Sequence, residues 1–142
     1  LAATQVGVAQ RVVVIDTSPK QQGAKPMAFV NPVIVRSEGE TVFQEGCLSL
    51  PGEAEDVTRA ARVWVKALDK DGQPFEVEGN ELLAIALQHE IDHLDGKVFV
   101  DYVSALKREL IKRRMKRLKA ECEAERREGK PVHNEKVKSG EL

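Results

Sequence analysis

Cysteine is nearly absent from this chain, with Cys47 and Cys122 the two examples in 142 residues. Two cysteines make no disulfide framework, and the usage fits a reducing compartment in which both thiols are free. Histidine is almost as sparse, at three. No apolar run approaches the roughly 20 residues that a membrane-spanning helix needs, so no membrane partner is expected. There is no excess of charge either: 22 basic and 23 acidic residues give a formal net charge of -1, which argues nothing about a polyanionic partner for the whole molecule and leaves the distribution of charge to be read. An initiating methionine is missing too. The opening Leu1-Ala2-Ala3-Thr4-Gln5-Val6-Gly7 reads as the interior of a longer protein, so any targeting segment is expected upstream.

What is present describes a folded protein. The length suits one hydrophobic core, and 42% hydrophobic with 32% charged residues is a globular composition. We expect one catalytic domain over residues 1–127 and a flexible tail over 128–142. Val12–Ile15 and 27–36 read as strands, with Asn31-Pro32 making the second an edge or bent strand. Residues 62–68 and 74–78 form a hairpin about the Asp69-Lys70-Asp71-Gly72 turn, and Thr41-Val42-Phe43 is strand-like. Asn80 is placed to cap a helix over 81–94 that Gly96 stops. After an extended Val98-Phe99-Val100, Ser104 caps a second helix over 105–127, ended by Gly129 and Pro131. Strands precede helices in blocks, which indicates an α+β fold: antiparallel strands around a central helix, plus a long C-terminal helix.

The central helix carries the chemistry. In Gln88-His89-Glu90-Ile91-Asp92-His93 two imidazoles stand four residues apart, on one face and one turn of about 5.4 Å apart, so both can reach a single metal ion. Glu90 is not aligned to be a third ligand, but it can reach an open coordination position as a general base. Positions Leu82, Ile85 and Ala86 share the face of His89 and can wall an apolar pocket, although plain core packing explains each equally well.

A catalytic site of this kind needs a third protein donor. The metzincin spacing is excluded because Phe99 stands where its third histidine would be. Glu109 and His133 are candidates, but Cys47 is stronger, since Glu45-Gly46-Cys47-Leu48-Ser49-Leu50-Pro51-Gly52 makes a shaped loop that can present a thiolate. On the second helix, Leu106, Leu110, Ile111, Met115, Leu118 and Cys122 form an apolar stripe for docking, and the remaining faces are dense in Lys and Arg. That density is either a solvated face or a footprint for phosphate backbones.

These residues also fall into recurrent motifs. Glu45-Gly46-Cys47-Leu48-Ser49 and Gln88-His89-Glu90-Ile91-Asp92-His93 stand complete, and the second half of another motif is present as Leu1-Ala2-Ala3-Thr4-Gln5. On them the chain resembles the peptide deformylases, metallohydrolases that remove the formyl group from the initiator methionine of nascent bacterial chains. The resemblance runs through the second helix. It implies that an N-terminal helix and the Gly-x-Gly half of the first motif precede Leu1 in relatives, so we expect an N-terminally truncated deformylase.

The resemblance further implies Cys47, His89 and His93 as metal ligands. Spacing alone indicates zinc; the family implies native Fe(II), with zinc, nickel or cobalt as substitutes in purified protein. It gives Glu90 the role of proton carrier, and the Gln5 side-chain amide with the Leu48 backbone N–H that of oxyanion donors. It places a methionine pocket at Leu82, Ile85 and Ala86, has Gly46 pair with the peptide as an added strand, and pairs Arg59 with Glu45 behind the Cys47 loop. Ala54 departs from the arginine found in many relatives. The basic helix implies ribosome contact, and the bacterial cytoplasm is the expected location, an organellar relative being the alternative. Two other readings are a broader metallopeptidase and a ribosome-associated module with a closed structural metal.

Overall fold

The computed structural model describes residues 1–20 and 22–129. The tail expected over 128–142 therefore lies, beyond Gly129, outside the described residues, as do Pro131 and His133. Among the described residues the elements run β1 (Val12–Ile15), β2 (Met27–Glu38), β3 (Thr41–Cys47), β4 (Leu50–Arg59), β5 (Arg62–Leu68), β6 (Pro74–Asn80), α1 (Glu81–Leu94) and α2 (Ala105–Arg127). Short 3-10 turns occur at Ala3–Val6 and Phe99–Tyr102. The antiparallel α+β class read from the sequence is the observed one, with a last helix that is long. Two compact units are distinguished.

The first unit comprises Leu1–Phe43 and Thr58–Val98. Its antiparallel sheet has the order β1-β2-β5-β6. Alternation along β5 sends Val63, Val65 and Ala67 inward and leaves Lys66 exposed, as a half-buried strand requires. On that inner face Val13, Ile15 and Phe29 meet Ala84, Ala86, Leu87 and Ile91 of α1. Phe29 and Phe75 add a tilted ring pair 5.4 Å apart. β2 is interior rather than an edge, which corrects one of the two expectations for Asn31-Pro32. The other holds: the register with β5 shifts between Val30 and Val33, where Pro32 has no N–H to give and Asn31 takes a left-handed φ of 51°. The bulge keeps a proline inside the sheet.

α1 starts where the sequence indicated, but Asn80 does not cap it with its side chain. Its amide is already committed, accepting from Arg62 Nε at 2.9 Å and donating to Glu78 at 3.3 Å. Gly79 sets the approach of β6 to the helix: a Cβ there would lie 2.7 Å from Leu87 Cδ1 and 3.3 Å from Ala84 Cα. Only the absence of a side chain permits this contact.

The second unit comprises Gln44–Val57 and the chain from Phe99 on. The stretch from Glu45 to Gly52, read above as a shaped loop, is the end of β3, a turn at Leu48-Ser49 and the start of β4, and Gly52-Glu53-Ala54-Glu55-Asp56 continues that strand, which pairs with β3. Its acidic side chains meet α2. Arg114 forks onto Glu53 at 2.6 and 2.5 Å, and Lys107 Nζ reaches Glu55 at 2.6 Å. These hydrogen bonds hold both cations above their ordinary pKa values, so they stay charged at any working pH. Ser104 caps α2 as expected, accepting from the Lys107 N–H at 3.3 Å. The apolar stripe is narrower than the sequence reading. Ile111 is buried, with Met115, Leu118 and Cys122 partly so, while Leu106 and Leu110 are 72% and 43% exposed. At about 100° per residue the first four lie within one narrow sector and the two leucines fall outside it. Val98-Phe99-Val100 is not extended either: Phe99 and Val100 open a 3-10 turn that buries both.

Gly79→Ala is expected to destabilise the protein by about 1–3 kcal/mol through overpacking against α1, measured by urea unfolding; an unchanged midpoint would contradict the close approach described.

Candidate metal centre

α1 is buried nearly all round, with Ala84, Ile85, Ala86, Leu87 and Ile91 removed from water together with His89, Glu90 and His93. Three titratable side chains inside five residues of a buried helix are costly unless each has a defined partner. The two rings meet edge to face with centroids 4.7 Å apart, and their Nε2 atoms are 3.1 Å apart. Two nitrogens each about 2.0–2.1 Å from one tetrahedral ion would stand roughly 3.3 Å apart. The pair is thus spaced for a shared ion.

The second nitrogen of His93 fixes its tautomer. Nδ1 lies 3.1 Å from the Lys97 carbonyl oxygen, which can only accept, so Nδ1 carries the proton and Nε2 presents a lone pair. Lys97 is brought back under the ring by the end of the helix: Gly96 adopts φ 74°, and the Lys97 N–H donates to Asp92 O at 2.9 Å. Thr4 Oγ1 donates to the His93 carbonyl at 3.1 Å, tying the same turn to the N-terminal segment.

Glu90 is 8% exposed. Its Oε2 pairs at 2.9 Å with the Leu1 ammonium, which also donates to Val14 O at 2.9 Å.

Cys47 closes β3 and is buried at 4% exposure. Among the described residues Cys47, His89 and His93 form a candidate metal-binding triad, their donor atoms all within 4.8 Å of one another. Glu109, the alternative donor, is exposed on α2 and pairs with Arg113.

The remaining residues singled out from the sequence are distributed as follows. Gln5 lies in the 3-10 turn at Ala3–Val6, and its Oε1 accepts from the Ala2 N–H at 2.9 Å, which orients the whole amide. Leu48 is in the turn after β3 with its side chain 67% exposed, and Gly46 and Glu45 are buried in β3. On α1, Leu82 is half-buried and Ile85 buried, whereas Ala86 belongs to the hydrophobic core. Arg59 is buried and donates to Asp92 Oδ2 at 2.5 Å, a partner the sequence reading did not name. Gln88 was also given no role, and it bonds to both backbone groups of Ala60. A signal for both was available, since polar residues on a helix this apolar must find partners.

Comparison with known proteins agrees with this geometry. A family model described as polypeptide deformylase matches residues 1–109. The peptide deformylase of Alkalilimnicola ehrlichii is 56% identical over 119 residues, covering 83% of this chain and 66% of the relative. That of Stenotrophomonas maltophilia is 54% identical over 115 residues, covering 81% and 66%. The chain therefore spans about two thirds of the length of these relatives. Among solved structures, a peptide deformylase from Legionella pneumophila superposes with a TM-score of 0.76 at 52% identity, covering 84% of this chain and 72% of that one. One from Ehrlichia chaffeensis in complex with actinonin gives 0.78 at 38% identity, covering 82% and 71%.

Zn(II) at about 100 times its dissociation constant is expected to stabilise the protein by about 2.7 kcal/mol, read as a rise in melting temperature, and His93→Ala should remove most of that rise. Equal shifts in the two proteins would show that the ion binds elsewhere.

Proposed function

The chain belongs to the polypeptide deformylase family, and from that premise we propose that it hydrolyses the N-formyl group of initiator methionine on nascent polypeptides, releasing formate. The observation that carries this reading is the buried pair of Nε2 atoms at 3.1 Å, with the Cys47 thiol in the same candidate group and the buried Glu90 next to His89 in the helix.

The donor set fits a divalent ion. Cys47, His89 and His93 would hold it through one thiolate and two neutral imidazoles, which leaves one of four positions for water or substrate. A bound cation there would polarise the formyl carbonyl and lower the pKa of a water toward neutrality. The thiolate softens the site and favours Fe(II), zinc, nickel or cobalt over hard cations such as magnesium; Fe(II) is the native choice, and oxidation-resistant zinc, nickel or cobalt would replace it on handling in air.

Water adds to the formyl carbon while Glu90 takes its proton. The carbon–nitrogen bond then breaks, Glu90 returns the proton to the leaving amine, and formate departs. The developing oxyanion accepts from the Gln5 Nε2 amide and the Leu48 backbone N–H, each donor contributing about 2.7–4 kcal/mol to the barrier by analogy with other oxyanion holes. Support for Gln5 comes from the Ala2 bond to its Oε1, which holds the amide before substrate arrives. Leu82, Ile85 and Ala86 receive the methionine side chain, whose unbranched thioether adapts to an apolar wall. Gly46 pairs with the peptide backbone, so residues after methionine matter little.

α2 is the part of the molecule suited to the ribosome. It carries ten basic and four acidic residues, and although Arg113, Arg117 and Lys119 pair with Glu109, Glu121 and Glu123 one turn away, a positive excess remains. Among the described residues no helix is long and apolar enough to cross a membrane. The bacterial cytoplasm, where formylated chains are made, is the compartment this reading requires.

Glu90→Gln is expected to lower formate release from a formyl-Met peptide by about 10²- to 10⁴-fold while the metal content of the purified protein stays the same. Retained turnover in that variant would remove Glu90 from the mechanism.

A further inference from the structure

The two other polar residues of α1 near the histidines, Gln88 and Asp92, are themselves i and i+4. They share one side of the helix, about 100° around from the face of His89 and His93. Both reach the same place, the end of β4. The Gln88 amide behaves as a length of strand: Nε2 donates to Ala60 O at 2.9 Å and Oε1 accepts from Ala60 N–H at 3.0 Å. Nε2 also donates to Ala84 O, at 2.9 Å one turn back, so the side chain is fixed to its own helix as well. One turn on, the buried Arg59 guanidinium donates to Asp92 Oδ2 at 2.5 Å.

We infer that Gln88, assisted by Asp92, is a positioning residue: it keys the rotation of α1 about its axis, and so sets the direction in which the His89–His93 pair points. The inference rests on the reading of those histidines as ligands. Two attachments one turn apart on the side of a helix resist rotation in a way that apolar packing does not, because hydrogen bonds weaken steeply with angle. The required precision is high. Side-chain ends stand about 5–6 Å from a helix axis, so a rotation of about 2° moves them by 0.2 Å, the tolerance of a metal–ligand distance. Both rings turn together with the helix, so their 3.1 Å separation survives rotation; the aim of the pair at a third donor does not.

Gln88→Leu removes the attachment at similar volume. The test compares it with Val65→Ala, which opens the core of the same unit without touching α1's polar side. For wild type and both variants, Co(II) affinity is measured by competition, the thiolate-to-cobalt charge-transfer band is recorded, and the metal-free melting temperature is taken. The expected result is a 10- to 100-fold loss of Co(II) affinity and a weakened thiolate band in Gln88→Leu, with Val65→Ala near wild-type affinity even where it melts as low or lower. Asp92→Asn, which keeps an acceptor for Arg59, should fall between wild type and Gln88→Leu and serves if the latter does not fold. Unchanged affinity in Gln88→Leu, or an equal loss in Val65→Ala, overturns the positioning role. Failure of the wild-type protein to bind Co(II) overturns the ligand reading, and the inference with it.

Discussion

Two imidazole nitrogens held 3.1 Å apart inside a buried helix are the constraint on which the rest of this structure depends. Neutral rings at that distance cannot both present lone pairs without repulsion, and burial denies them water. The proton of His93 is fixed on Nδ1 by Lys97 O, so the inward nitrogen is available only as an acceptor. A cation satisfies the arrangement at once. On the proposed reading Cys47 would supply a third donor, and Glu90, buried next to His89, would carry the proton.

Such a helix needs to be held more firmly than its apolar contacts would ensure. Gly79 lets β6 approach until only a hydrogen fits between strand and helix. Thr4 fastens the carbonyl of His93, Arg11 reaches Asp95 at 2.7 Å beyond the last turn, and Gln88 and Asp92 fasten one flank to Ala60 and Arg59. Packing sets the depth of the helix, and these polar attachments set its rotation. Hydrophobic burial is non-directional, so it cannot by itself decide where an imidazole points. The same division explains why Glu90 and Asp92, polar residues, stand between the histidines beside the core residue Ile91.

The helix limits of α1 and α2, the β5–β6 hairpin and strand β1 were legible because periodicity, turn residues and an N-cap serine all act locally. The helix beneath the candidate site was legible for the same reason, since i, i+4 histidines can share an ion only on a helix. Less visible were features set by partners distant in sequence. Strand β4 is hidden because Pro51, Gly52 and its acids speak against a strand; the side chains of Arg114 and Lys107, more than fifty residues away, pair with Glu53 and Glu55. Asn80 carried a capping signal, but Arg62 across the hairpin claims its side chain. Leu106 and Leu110 looked like part of a docking stripe until the helix phase was fixed by Ile111. Sequence spacing identifies which residues share a face, and only the fold says which face is turned inward.

The claim that most of this depends on is that one thiolate and two imidazoles hold a single ion with a position left open. X-ray absorption at the metal edge of the zinc- or cobalt-loaded protein tests it directly. The account predicts one sulfur at about 2.3 Å and two nitrogens at about 2.0–2.1 Å, with the remaining scatterer an exchangeable oxygen. A first shell without sulfur, or one filled by four protein donors, would contradict it.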